Sequence, residues 1–104
     1  MVLVQYHNKE IEALIAHGKS SLYRKVSNKR SFVKSLRAFV HLLKVLRTIS
    51  DLEKFHHLQY KKGVEYSSVI IEDKNLEGLL IFYEQNSGQT ITITELICTK
   101  QQGL

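Results

Sequence analysis

The chain has 104 residues, of which 43% are hydrophobic and 24% charged, with a net charge of +5. That is enough for one domain with a real core, and the composition is ordinary for a soluble globular protein. No apolar run approaches the roughly 20 residues that span a bilayer, so no membrane partner is expected. Met1-Val2-Leu3-Val4-Gln5-Tyr6 lacks the charged leader and long apolar core of a secretory signal. A single Cys98 cannot close an internal disulfide, and nothing asks for an oxidising compartment. The expectation is one domain, residues 1–104, in the cytoplasm. One thiol among scattered histidines does not supply the four ligands of a structural zinc site, so neither a metal nor another cofactor is expected.

Charge is unevenly spread. Residues 1–62 hold thirteen Lys/Arg against Glu10, Glu12, Asp51 and Glu53, a net +9, while residues 63–104 are net −4. Between Glu12 and Asp51 there is no acid. A one-signed segment attracts a polyanion through counterion release, so nucleic acid is the first partner to consider. An acidic protein, or plain solvation of a basic helix, accounts for the charge as well.

Val2-Leu3-Val4 with Tyr6 predicts a first strand. Ile11, Leu14 and Ile15 then share a helical face, with Asn8 as N-cap and Gly18 suited to follow the helix end. Leu22 to Val26 reads as a loop or an extra turn. The second and longest helix is expected to begin at Ser27 or Asn28. Phe32, Leu36, Phe39, Leu43 and Leu46 form its apolar stripe. Arg30, Lys34, Arg37, His41 and Lys44 repeat two residues earlier, about 200° around the helix, so they lie opposite the core. Ile49 to Leu52 closes this helix or begins a further turn.

Four more strands are expected. Phe55 to Leu58 is a short one and Val64 to Glu72 a clearer one. Asp73-Lys74-Asn75 is turn chemistry. The continuous apolar run Gly78 to Tyr83 predicts a central strand buried on both faces. Gln85 to Gly88 is the next turn, Thr90 to Ile97 alternates as a strand should, and Lys100 to Leu104 reads as a frayed tail. The order β-α-α-β-β-β-β implies an α+β fold, with two helices on one face of a mainly antiparallel sheet. The first strand joins the sheet by a crossover, and the other sheet face, left open beside a basic helix, is a place for a nucleic-acid strand.

The densest set of chemical groups is Phe55 to Gly63, which carries His56, His57, Tyr60, Lys61 and Lys62. Metal-free RNA cleavage needs a base for the 2′-OH, a cation for the pentavalent phosphate and an acid for the 5′ oxygen. His56 or His57 suits the first or third task, and Lys54, Lys61 and Lys62 suit the second. Glu95 shares a nominal strand face with Ile91, Ile93 and Ile97, a costly place unless the face reaches solvent there or follows a bulge. Tyr60, Tyr66 and Tyr83 can stack on bases or pack as core. There is no P-loop, dinucleotide-binding glycine pattern or HExxH. A helix-turn-helix reader is also poorly supported, because a large sheet follows the helices.

In this ordered set the chain resembles the RelE/ParE superfamily of toxins from type II toxin–antitoxin systems, and its HigB branch in particular. The residues that carry the resemblance are His7-Asn8-Lys9-Glu10-Ile11-Glu12-Ala13-Leu14 with Gly18-Lys19-Ser20-Ser21, then Ile49 to Leu58, Lys61-Lys62-Gly63, Ser68-Val69 and Leu80-Ile81-Phe82. The resemblance implies a RelE-like fold and metal-independent, ribosome-dependent cleavage of messenger RNA, as in plasmid-maintenance systems. A cognate antitoxin protein would neutralise it, and no small-molecule substrate is involved. By this resemblance His56, Lys61 and Lys62 are the catalytic positions. Lys54, His57, Arg30, Lys34 and Arg37 would contact RNA phosphates, with Tyr66, Glu95 and Lys100 as further candidates. Three places depart from the pattern, one of them the stretch Glu95 to Lys100, where the family usually has a closing histidine or tyrosine. Where the family usually has arginines, this chain has Ile70 and, as the nearest equivalent, Leu79. That departure implies the alternative: a toxin-fold binding protein without nuclease activity, either degenerate or directed at gyrase as ParE is.

Overall fold

The computed structural model describes residues 1–73 and 76–101, the last three by their backbone alone. The described chain runs β1 (Leu3–Tyr6), α1 (Lys9–His17), α2 (Arg24–Ser27), α3 (Arg30–Leu43), β2 (Ser67–Asp73), β3 (Leu76–Gln85) and β4 (Thr90–Gln101), with 3-10 turns at Ile49–Lys54, His56–Leu58 and Asn86–Gly88. The strands form one sheet in the order β1-β4-β3-β2. Two pairings, β2 with β3 and β3 with β4, are antiparallel, and β1 joins the edge parallel to β4. The α+β class and the mainly antiparallel sheet therefore hold, but the described sheet has four strands rather than five, and a third helix is present. Among the described residues no helix is long and apolar enough to cross a membrane.

Local chemistry sets the helix limits. Asn8 caps α1 by accepting from the Ile11 amide at 3.0 Å, and Gly18 closes it in the left-handed region at φ 75. Glu10 then secures the connector, accepting from the Ser20 hydroxyl at 2.8 Å, the Ser21 hydroxyl at 2.9 Å and the Leu22 amide at 3.1 Å. These bonds hold its carboxyl below the usual glutamate range, the Leu22 amide first. Ser27 does not open the long helix. Its hydroxyl donates back to the Tyr23 carbonyl at 3.0 Å and accepts from the Ser20 amide at 3.1 Å, which closes α2, so α3 starts later, at Arg30.

The expected strand at Phe55 to Leu58 is instead a 3-10 turn. Leu52, Phe55 and Leu58 recur every third residue, which is the 3-10 period, and they turn toward the core. Amide bonds from Phe55 to Leu52, Leu58 to Phe55 and Gln59 to His56 complete it. The following strand starts at Ser67 rather than Val64, because residues 64–66 are exposed and outside the ladder. Lys74 and Asn75 of the expected turn, and Gln102 to Leu104 of the expected tail, lie outside the described residues. Lys100 belongs to β4.

Helices cover only one face of the sheet. Phe32, Leu36, Phe39 and Leu43 of α3 are buried together with Val69, Ile71, Leu80, Phe82, Ile91 and Ile93. The apolar run in β3 is therefore not buried on both sides. Gly78, Leu80 and Phe82 are buried, while Leu79, Ile81 and Tyr83 are half-buried on the open face. In β4 the register places Ile93 opposite Phe82 but Glu95 opposite Ile81, so Thr94 is an extra residue. This bulge turns Leu96 inward and Glu95 and Ile97 outward, which removes the cost of a carboxylate among isoleucines.

Gly78 marks the closest approach of the two layers. A Cβ there would lie 2.7 Å from the Phe32 ring tip and 2.9 Å from Leu96 Cδ1. We expect Gly78→Ala to destabilise the domain by about 1–3 kcal/mol, the usual cost of overpacking. The denaturation midpoint should fall at unchanged m-value, and an unchanged or higher midpoint would contradict this packing.

Candidate functional site

Burial of the apolar stripe fixes where the basic stripe of α3 points. Arg30, Lys34, Arg37, His41 and Lys44 are all exposed. The first four line one groove of about 500 Å³ together with His17 and Lys19 from the end of α1. None of the described residues lining this groove is acidic. Arg37 Nη2 donates to the Ala16 carbonyl at 3.3 Å, which ties α3 to the end of α1, where the helix dipole favours a cation. From Arg30 to His41 the track runs about 16 Å at 1.5 Å per residue. It can hold successive phosphates, or the acidic face of a protein.

A second groove, of about 370 Å³, runs between α3 and β2 and is lined by Ser35, Phe39, Leu42, His57, Ile70 and Glu72 among others. Ala38 lines both grooves, so the groove that His57 lines adjoins the basic track at that residue. His57 is exposed, with its ring edge-on to Phe55 at 6.3 Å. His56 is exposed on the same turn, and Lys54 is exposed just before it.

The lysines after the histidines are placed differently. Lys61 exchanges backbone bonds with Ser68, both at 2.9 Å, while its side chain is exposed. Lys62 lines a third groove of about 490 Å³, beside Gly63, Glu65, Glu84 and the Asn86–Gly88 turn. Gly63 is required there, since a Cβ would collide with the Tyr66 carbonyl. His57 and Lys62 thus line separate grooves, although only five positions separate them in sequence. Tyr60 is not a base-stacking platform. Its ring stacks on Phe82 at 6.4 Å, and its hydroxyl donates to Glu84 at 2.5 Å, beside a 2.7 Å bond from Ser67 to the same oxygen. Burial first, and the Glu84 bond second, raise the Tyr60 phenol well above its ordinary pKa.

Tyr66 and Glu95 meet elsewhere, on the open sheet face. They line a pocket of about 610 Å³ with His7, Tyr23, Ile81 and Tyr83. The Lys100 side chain lies outside the described residues. Ile70 and Leu79 are direct partners across β2 and β3, and Leu79 pairs in turn with Ile97, which gives an apolar row across the same face. The nucleic-acid strand expected on this face would meet that row and the Glu95 carboxylate. The basic track lies on the far side of the molecule, because α3 sits between it and the sheet.

Sequence periodicity found Arg30, Lys34, Arg37 and His41. It did not find His17 and Lys19, which only the folding of α1 against α3 brings to the same groove. His7 and Tyr23 were missed for the same reason. Comparison with known proteins finds no matching family model, no matching curated protein and no matching solved structure.

If the track binds phosphates, Arg30→Ala and Lys34→Ala should each weaken binding of a single-stranded oligoribonucleotide. Each should also flatten the slope of log Kobs against log salt by about 0.7. Fluorescence anisotropy across a salt series reads both quantities, and wild-type slopes in the variants would exclude these contacts.

Proposed function

We propose that this chain is a toxin of a type II toxin–antitoxin system, similar to the RelE/HigB branch. It acts on messenger RNA at the ribosome in the cytoplasm and is silenced by a cognate antitoxin protein. The observation that carries this reading is that the carboxylate-free basic track and the groove that His57 lines adjoin at Ala38. On this reading an RNA strand held on Arg30, Lys34 and Arg37 extends past Ala38 toward the groove that His57 lines. The resemblance assigns His56 as the catalytic histidine, and the groove geometry supports His57 in that role. A neutral imidazole removes the 2′-OH proton, and its conjugate acid protonates the departing 5′ oxygen. Charge on the pentavalent phosphate falls to the cations of the track, Arg30, Lys34 and Arg37, while Lys62 lines a separate groove.

Ile70 departs from the family pattern and limits the activity. It lines the same groove as His57 and pairs with Leu79, so the two positions where the family carries arginine are adjacent here. Without such a donor the rate typically falls by about two to three orders of magnitude. This favours a second reading, in which the protein binds its target as a toxin does but does not cut it.

Induced expression separates the two. The first reading expects growth arrest with cleaved transcripts, relieved by His57→Ala, and about tenfold or more faster cleavage in Ile70→Arg. Growth arrest with intact transcripts in both wild type and Ile70→Arg, still relieved by Lys34→Ala, is the outcome the second expects. Normal growth from confirmed folded protein contradicts both.

A further inference from the structure

The pocket on the open sheet face has a chemistry opposite to that of the groove along α3. Tyr66 and Tyr83 stand with ring centroids 6.2 Å apart and planes at 74°, so they form two nearly perpendicular aromatic walls. Tyr23 adds a third aromatic group from the α1–α2 connector. Glu95 is delivered to the rim by the Thr94 bulge, and Thr94 is fixed by donating to the Ile81 carbonyl at 3.0 Å. The Tyr23 phenol is raised above its ordinary pKa, first by burial, with the Glu95 charge adding to the rise. Among the described residues no lysine or arginine lines this pocket, although the chain has fifteen of them.

Aromatic faces around a carboxylate attract a cation. Each ring quadrupole favours positive charge over its face, and the carboxylate supplies the counterion. A nucleotide fits less well, because its bases stack on tyrosine but its phosphate would meet Glu95 without a compensating cation. Beside the pocket, Ile81 leads to the row Ile70, Leu79 and Ile97, where Ile97 is 41% exposed. That row can cover apolar residues flanking a charged one, which a free polyamine would leave unused.

We propose that this pocket binds an organic cation, the guanidinium or ammonium of an Arg or Lys side chain on a partner protein, with the partner's neighbouring apolar residues lying on the Ile81 and Leu79 side. The site stands on its own residues and does not rest on the toxin reading.

Protein with isotope-labelled tyrosine, titrated at pH 8 with acetyl-Leu-Arg-Leu-amide, tests it. The Tyr66 and Tyr83 ring signals should shift saturably. Glu95→Gln and Tyr66→Leu should each weaken binding at least fivefold, with well-dispersed spectra confirming that both variants fold. Spermidine, the free-amine arm, should bind at least threefold more weakly than the peptide. Adenosine monophosphate should leave the two rings unmoved. The proposal is overturned if the peptide shifts neither ring, if both folded variants bind like wild type, if spermidine binds as tightly as the peptide, or if the nucleotide moves the rings more than the peptide does.

Discussion

One packing constraint organises this molecule: the apolar stripe of α3 must be buried against a single face of the sheet. Phe32 is wholly buried, and its ring tip lies so close to Gly78 that a Cβ there would be 2.7 Å away. Once that face of the helix is committed, Arg30, Lys34, Arg37 and His41 have to point away from the sheet. The same commitment leaves the second sheet face uncovered, since the described helices all lie on the first. Two surfaces of contrary chemistry follow from one core contact. The helix side is cationic. The sheet side is apolar and aromatic and carries Glu95.

Much of this was legible in the sequence where local chemistry decides it. Asn8 and Gly18 delimit α1 because capping depends on residues only a few positions apart. The opposed stripes of α3 follow from a 3.6 period. Three features were not legible, each because a distant contact decides it. The continuous run from Gly78 to Tyr83 is apolar on both faces, but only tertiary packing says that one face is uncovered. The Thr94 bulge reverses Glu95 and Ile97 relative to Ile91 and Ile93, and alternation alone cannot show an inserted residue. Phe55 to Leu58 is too short to separate a strand from a 3-10 turn, and the three-residue spacing of Leu52, Phe55 and Leu58 was the usable signal.

The candidate site was partly legible in the same sense. The basic track could be read from α3, but its completion by His17 and Lys19 depends on how α1 meets α3. The stretch from Phe55 to Gly63 gathers histidines and lysines in sequence, yet the fold parts them. His57 faces the groove beside α3, whereas Lys62 faces the Asn86–Gly88 turn. Residues close in sequence are held apart here, while His57 and Ala38, nineteen positions apart in the numbering, line one groove. In the proposed role that juxtaposition matters more than the cluster of lysines, because the phosphate and the imidazole must meet at one place.

Whether the two surfaces are used separately is the central point. Amide chemical-shift mapping of the folded protein with a short single-stranded oligoribonucleotide addresses it directly. Shifts concentrated at Lys19, Arg30, Lys34, Arg37 and Ala38 and reaching His57, with Leu79, Ile81 and Tyr83 unmoved, are the predicted result. Shifts concentrated on Leu79, Ile81 and Tyr83, with the α3 track unmoved, would contradict it.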